Sequence, residues 1–165
     1  MVEKKKKTRS TSSSVDPATQ YALDVSEGKV VAGPDIRNAC NRHLRDLKDG
    51  KNRGLVWDID SVNRAINFFA QVLKLNGGEH EGVPFNLLPW QCFIVGSIFG
   101  WKRANGTRRF RTVYVESGKG SGKSPLAAGV GLYCMTADKE PRAEVYAAAT
   151  KKDQAMILFR DAVAM

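Results

Sequence analysis

In the stretch TVYVESGKGSGKSPLAAGV, residues 112–130, a β-forming run meets a glycine-packed turn, a Lys-Ser pair and a helix-forming segment. That order suits the binding of a polyphosphate. Glycines let backbone N–H groups approach an anion closely, and a helix N-terminus directs about half a positive charge at it. A lysine then reaches the β/γ-phosphates, and a Ser or Thr hydroxyl joins the shell of a Mg²⁺ ion. Gly122, Lys123 and Ser124 supply the end of this pattern, whereas its start departs from it. Ser117 stands where a glycine is usual, five positions before Gly122, and Gly118 comes one place late. The residues expected to meet the phosphates are Ser117, Gly118, Lys119, Gly120, Ser121, Gly122, Lys123 and Ser124, with Ser124 the Mg²⁺ ligand through its hydroxyl. Lys123 and Lys119 are the catalytic candidates. Lys119 either stabilises charge developing on the γ-phosphate, as an arginine finger does in cis, or is a solvated lysine on a turn. The plain alternative for the whole stretch is a flexible glycine loop; strand before and helix after favour the phosphate site.

A loop of this kind needs a scaffold, and the rest of the chain reads as one. Asp16 caps a helix that begins at Pro17 and stops near Gly28. A second helix is predicted over 34–48, with Ile36, Cys40, His43, Leu44 and Leu47 on its inner face. A third runs over 61–75 with Val62, Ile66, Phe69 and Leu73 inward, and a fourth starts near Pro89. The Asn105-Gly106 pair marks a hairpin. Residues 111–116 form a strand feeding the glycine turn, a helix spans 123–133, and EVYAAA is a strand buried on both faces. Thr150 opens a last helix, with Asp153 completing a capping box. Strand, helix, strand, helix predicts an α/β fold with a P-loop NTPase-type parallel sheet flanked by helices. An N-terminal helical segment precedes it. The sheet is expected to be incomplete.

Bulk properties set limits. A chain of 165 residues buries a real core. No apolar run approaches the ~20 residues of a membrane span, and the first thirty residues lack a signal-peptide core. Cys40, Cys92 and Cys134 are too few and too widely spaced for a disulfide framework, and His43 and His80 have no partners at metal-ligand spacing. The net charge of +9 points to a polyanionic partner. Five of the basic residues lie in EKKKKTRSTSSS, a composition expected to be disordered. The domain reading is a disordered tail over 1–15, a helical region over 16–88 and the first part of an ATPase domain over 89–165.

Several blocks taken together resemble the N-terminal ATPase domain of large terminase subunits from tailed phages: ATQYALDVSEGKVVAG with ACNRHLRDL, LLPWQCFIVGSIFGW, NGTRRFRTVYVE, SGKGSGKS and AAATKKDQA. The resemblance implies ATP and Mg²⁺ as ligands and double-stranded DNA as the cargo of a packaging motor. It implies the portal protein and the small terminase subunit as partners, a homo-oligomer when full length, no membrane, and the host cytoplasm as location. Gln91 matches the glutamine that reads adenine, since an amide donates and accepts at once; otherwise it is an exposed helix residue. Trp90 reads as core. Lys119 stands where the family usually has an arginine, and it keeps the charge without the planar fork. Arg108, Arg109 and Arg111 either touch phosphates or sit on a solvated hairpin end. The Asp-Glu pair that holds the Mg²⁺ shell and orients the attacking water is missing from EVYAAAT, and the nuclease domain is missing too. The chain is therefore expected to be the front part of a larger protein that binds nucleotide weakly and turns over little or none. The alternatives are another P-loop translocase of helicase type, or a non-catalytic DNA-binding prophage remnant.

Overall fold

The computed structural model of the protein describes residues 15–165. The expected basic tail lies, but for Val15, outside the described residues. Among them are six α-helices and two short strands in the order α1 (Pro17–Ser26), α2 (Pro34–Asp49), β1 (Leu55–Trp57), α3 (Ile59–Val72), α4 (Pro89–Gly100), β2 (Trp101–Arg103), α5 (Lys123–Thr136) and α6 (Lys152–Ala164). Local chemistry accounts for most of the ends. The Asp16 carboxylate accepts the amides of Ala18 and Thr19 at 3.0 Å, and Pro17 occupies the first turn of α1. Asp58 likewise accepts the Ser61 amide at the start of α3. A short 3-10 turn, Gly50–Arg53, follows α2 and ends at Gly54 with φ +66°.

The sequence of α4 is apolar on every side, as suits a helix surrounded by others. It packs against α1 and against α3. Small residues let it do so: a Cβ on Gly96 would lie 2.6 Å from Ala18 Cβ and 3.4 Å from Val62 Cγ1. Both neighbours sit close to backbone and cannot swing aside. Gly96→Val is therefore expected to force α1 and α4 apart, an overpacking cost of ~1–3 kcal/mol. A thermal melt reads it, and an unchanged Tm would show that the two helices do not meet here.

Two apolar clusters flank this junction. Tyr21, Ala22, Val25 and Cys40 form the smaller. The larger gathers Ala65, Phe69, Leu73, Phe85, Val95, Phe99, Leu126 and Tyr133, so that α5 is anchored on the helical body. Tyr133 meets the Phe99 ring at 4.5 Å between centroids, and a Cβ on Gly129 would reach Phe69 Cζ at 2.9 Å. The glycine loop is thus held by a helix whose inner face is locked into core.

The sheet differs from the expected one. Its two strands are antiparallel, pairing Leu55 with Arg103, Val56 with Lys102 and Trp57 with Trp101. The Asn105-Gly106 hairpin does form: Arg103 N–H donates to Thr107 O at 2.8 Å, and Arg109 N–H to Trp101 O at 2.9 Å. Residues 111–116 and EVYAAA, however, form no strand ladder among the described residues. A parallel pair is stabilised by cover on both faces, and here Tyr114 and Tyr146 are 84% and 83% exposed. Each tyrosine hydroxyl instead donates to a carboxylate two residues away, Glu116 and Glu144. Of the secondary-structure expectations two more change. Ile36 and Leu47 face outward, and the buried face of α2 is Cys40, His43 and Asp46. The last helix begins at Lys152 without a side-chain cap, Thr150 donating to Gln154 Oε1 at 3.0 Å instead.

Candidate functional site

The glycine turn closes on its own lysine. Lys123 Nζ donates to Ser117 O at 2.5 Å and to Gly118 O at 2.7 Å, and the Ser117 and Ser121 hydroxyls share a hydrogen bond of 2.5 Å. The ammonium therefore points back into the loop. Gly120 and Gly122 have φ of +80° and +79°, the left-handed conformation that glycine adopts at no steric cost. Gly122 is also the N-cap of α5, which has no side-chain cap and no acid in its first turn. The first N–H groups of a helix have no acceptor within it, and Pro125 has no N–H to offer. The donors at this helix end therefore belong to the residues ahead of Pro125, where Lys123 and Ser124 stand. Ser124, Gly118, Lys119 and Gly120 are exposed, and Ser117, Ser121, Gly122 and Lys123 are half-buried. A positive helix end, two left-handed glycines and an inward ammonium fit a phosphate chain.

Gln91 stands next to this loop, although it comes from α4. It is buried, not on an exposed helix face. Its Oε1 accepts the Leu88 amide at 2.9 Å, which is the only half of a capping box that leucine at the N-cap permits. A Cβ on Gly122 would lie 3.5 Å from its Nε2, so the amide is turned toward the loop. Trp90 packs against both apolar clusters, as a core residue does.

The arginines beside the hairpin are spent on structure. Arg109 Nη1 donates to Asp46 Oδ2 at 2.6 Å, and its guanidinium lies 5.3 Å from the Trp101 ring centroid and 4.9 Å from that of Phe110. Arg108 pairs with Asp138 at 3.1 Å and covers the Phe99 ring at 5.5 Å. Neither phosphate contact nor a solvated end describes these two. Arg111, Lys151 and Lys152 remain exposed.

A buried polar relay, which periodicity did not reveal, fastens the helical body. Trp101 Nε1 donates to His43 Nδ1 at 3.0 Å, and His43 Nε2 lies 3.0 Å from Thr19 Oγ1. An indole N–H only donates, so neutral His43 carries its proton on Nε2. Thr19 in turn donates to Asp16 Oδ2 at 2.7 Å, which also accepts the Trp57 indole at 3.1 Å. Asp46 ends the cluster, held by Arg53 and Arg109. Burial raises its carboxyl pKa, but the hydrogen bonds from the two arginines outweigh it and hold the group below its ordinary range. The one legible signal was Asp46 itself, a carboxylate at helical spacing from Cys40 and His43.

A glycine-turned loop with an inward lysine at an uncapped helix start has the donors that an anion site needs. Residues 89–164 match the family described as terminase large subunit, ATPase domain. The match supports a packaging-motor ATPase role in general, and with it nucleotide binding. Comparison with curated proteins and with solved structures found no match.

Proposed function

We propose that residues 117–124 hold the triphosphate of ATP in a motor that moves double-stranded DNA into a phage procapsid. The observation that carries the reading is the Lys123 ammonium, folded onto Ser117 O and Gly118 O at the start of α5, within the family-matched segment. On this reading Lys123 exchanges those carbonyls for phosphate oxygens, and the amides of Gly120 to Ser124 supply neutral donors around it. The Ser124 hydroxyl holds Mg²⁺, and Lys119, exposed on the loop, neutralises charge on the γ-phosphate. Gln91 lies where an amide could select the base once its Oε1 releases the Leu88 N–H. Bound Mg-ATP supplies the transferable phosphoryl group; the residues here bind and orient it. The division into a helical region over 16–88 and an ATPase part over 89–165 belongs to the same reading. So do the parallel sheet, the portal and small-subunit partners, oligomerisation and a cytoplasmic location. None of the described helices is long and apolar enough to cross a bilayer.

The test is calorimetric titration with a Mg²⁺ complex of a slowly hydrolysed ATP analogue. The wild-type chain should bind, and Lys123→Ala should lose affinity by more than tenfold while its thermal melt stays unchanged. Equal affinities for both proteins would overturn the site.

A further inference from the structure

Outside the family-matched segment, α2 presents a row of basic side chains to solvent. Arg37, Asn41, Arg45 and Lys48 recur at spacings of 4, 4 and 3, which keeps them on one face of a helix. Lys51 and Asn52 continue the row in the turn that follows, and all six residues are exposed. The row is ~16 Å long from Arg37 to Lys48 at ~1.5 Å per residue. A solvated helix face usually sets acids four residues from its bases, where pairs stabilise it. Here the residue four on from Arg37 is Asn41 and four on from Lys48 is Asn52; only Arg45 has an acid at that spacing, Asp49. Asp46 is turned inward and held by Arg53 and Arg109, while Arg45 Nε reaches it only at 4.0 Å, the outer limit of an ion pair, and keeps its side chain 64% exposed. Asp49 stands beside the row, and among the described residues it forms no ion pair within 4 Å. Arg37 gives one N–H to Ala32 O at 2.5 Å, which fixes its position without removing its charge.

We infer that this face of α2 docks the phosphate backbone of a DNA duplex. Arginine forks and asparagine amides are both phosphate donors. At ~3.4 Å of axis per phosphate on each strand, a row of this length spans about five phosphates of one strand. The choice of duplex DNA as occupant rests on the packaging-motor reading. The location rests on the charge pattern alone, on a different element from the glycine loop.

Fluorescence anisotropy with a labelled 20-bp duplex, titrated across a salt series with the full chain, tests this. Arg45→Glu/Lys48→Glu should weaken binding at least tenfold and flatten the log–log salt slope by about 1.8, at ~0.9 per phosphate contact. The milder Arg45→Gln/Lys48→Gln should move both quantities the same way without reversing charge. Lys151→Glu/Lys152→Glu, an exposed pair at the entrance to α6, should change affinity less than threefold. Equal losses from both Glu pairs would mean that only net charge matters and would overturn the inference, as would an unchanged slope in both α2 variants. Equal affinity for a polyglutamate peptide would overturn the duplex as occupant. Lys123→Ala separates the two readings. Equal nucleotide affinity of the wild-type chain and Lys123→Ala, with an intact α2 effect, sinks the loop site alone; a nucleotide affinity lost in Lys123→Ala, without an α2 effect, sinks this inference alone.

Discussion

Asp46→Ala is expected to destabilise the protein by ~3–5 kcal/mol, the range for removing one partner of a buried ion pair. Asp46 is 2% exposed, and its two oxygens are claimed by Arg53 and by Arg109. Without the carboxylate, Arg109 is left charged against Trp101 and Phe110 with no counter-ion. Stabilities of ordinary domains are only ~5–15 kcal/mol, so the loss should be plain in urea unfolding at neutral pH. The partner variant Asp46→Leu/Arg109→Met should recover much of it, because a well-packed apolar replacement of a buried pair is often neutral. A single-variant loss below ~1 kcal/mol would show that the cluster is solvated in practice.

Acid should act first through His43. Burial pushes its pKa from the ordinary 6.5 down to about 4, against the upward pull of Asp16 and Asp46 and with a further downward push from Arg109. The unfolded chain therefore takes up a proton that the folded chain refuses. Stability from this group is fully present above pH ~6.5 and falls as the pH drops toward ~4. Each factor of ten in proton affinity is ~1.4 kcal/mol, so the interval amounts to ~3 kcal/mol. Protonation places a second N–H on the ring, and Nδ1 can then no longer accept the Trp101 indole. Asp46 and Asp58, whose pKa values are depressed, lose their contributions only below about pH 4, and Asp161, raised by burial, works in the opposite direction. Unfolding free energies measured between pH 7 and 4 should slope down in the wild type and stay flatter in His43→Gln. Parallel profiles would remove His43 as the cause.

The helices were legible where a short piece of chain decides them. Asp16 with Pro17, Pro34 and Pro89, and the left-handed Gly28 and Gly54, act on amides or carbonyls within a turn of themselves. The glycine turn was legible for the same reason, since its closure on Lys123 spans six residues. Partnerships across the chain were not. The role of Asp46 depends on an arginine 63 residues away, and that of His43 on Trp101, 58 residues away. The strand Leu55–Trp57 is three residues long and reads as part of a loop until Trp101–Arg103 pairs with it. Conversely, Arg111 to Glu116 and EVYAAA have strand composition, and composition cannot provide a neighbour to pair with.

By itself, then, the amino-acid order determined the helix starts at Pro17, Pro34 and Pro89, the glycine turn before α5 and the resemblance that the family match over residues 89–164 bears out. Only the tertiary structure decided that Arg108 and Arg109 serve the core, that Gln91 reaches the loop from another helix, and that α2 turns a carboxylate inward and a basic row outward. The reason is range. Caps and turns act through hydrogen bonds a few residues long, whereas burial and charge pairing depend on which distant surfaces meet.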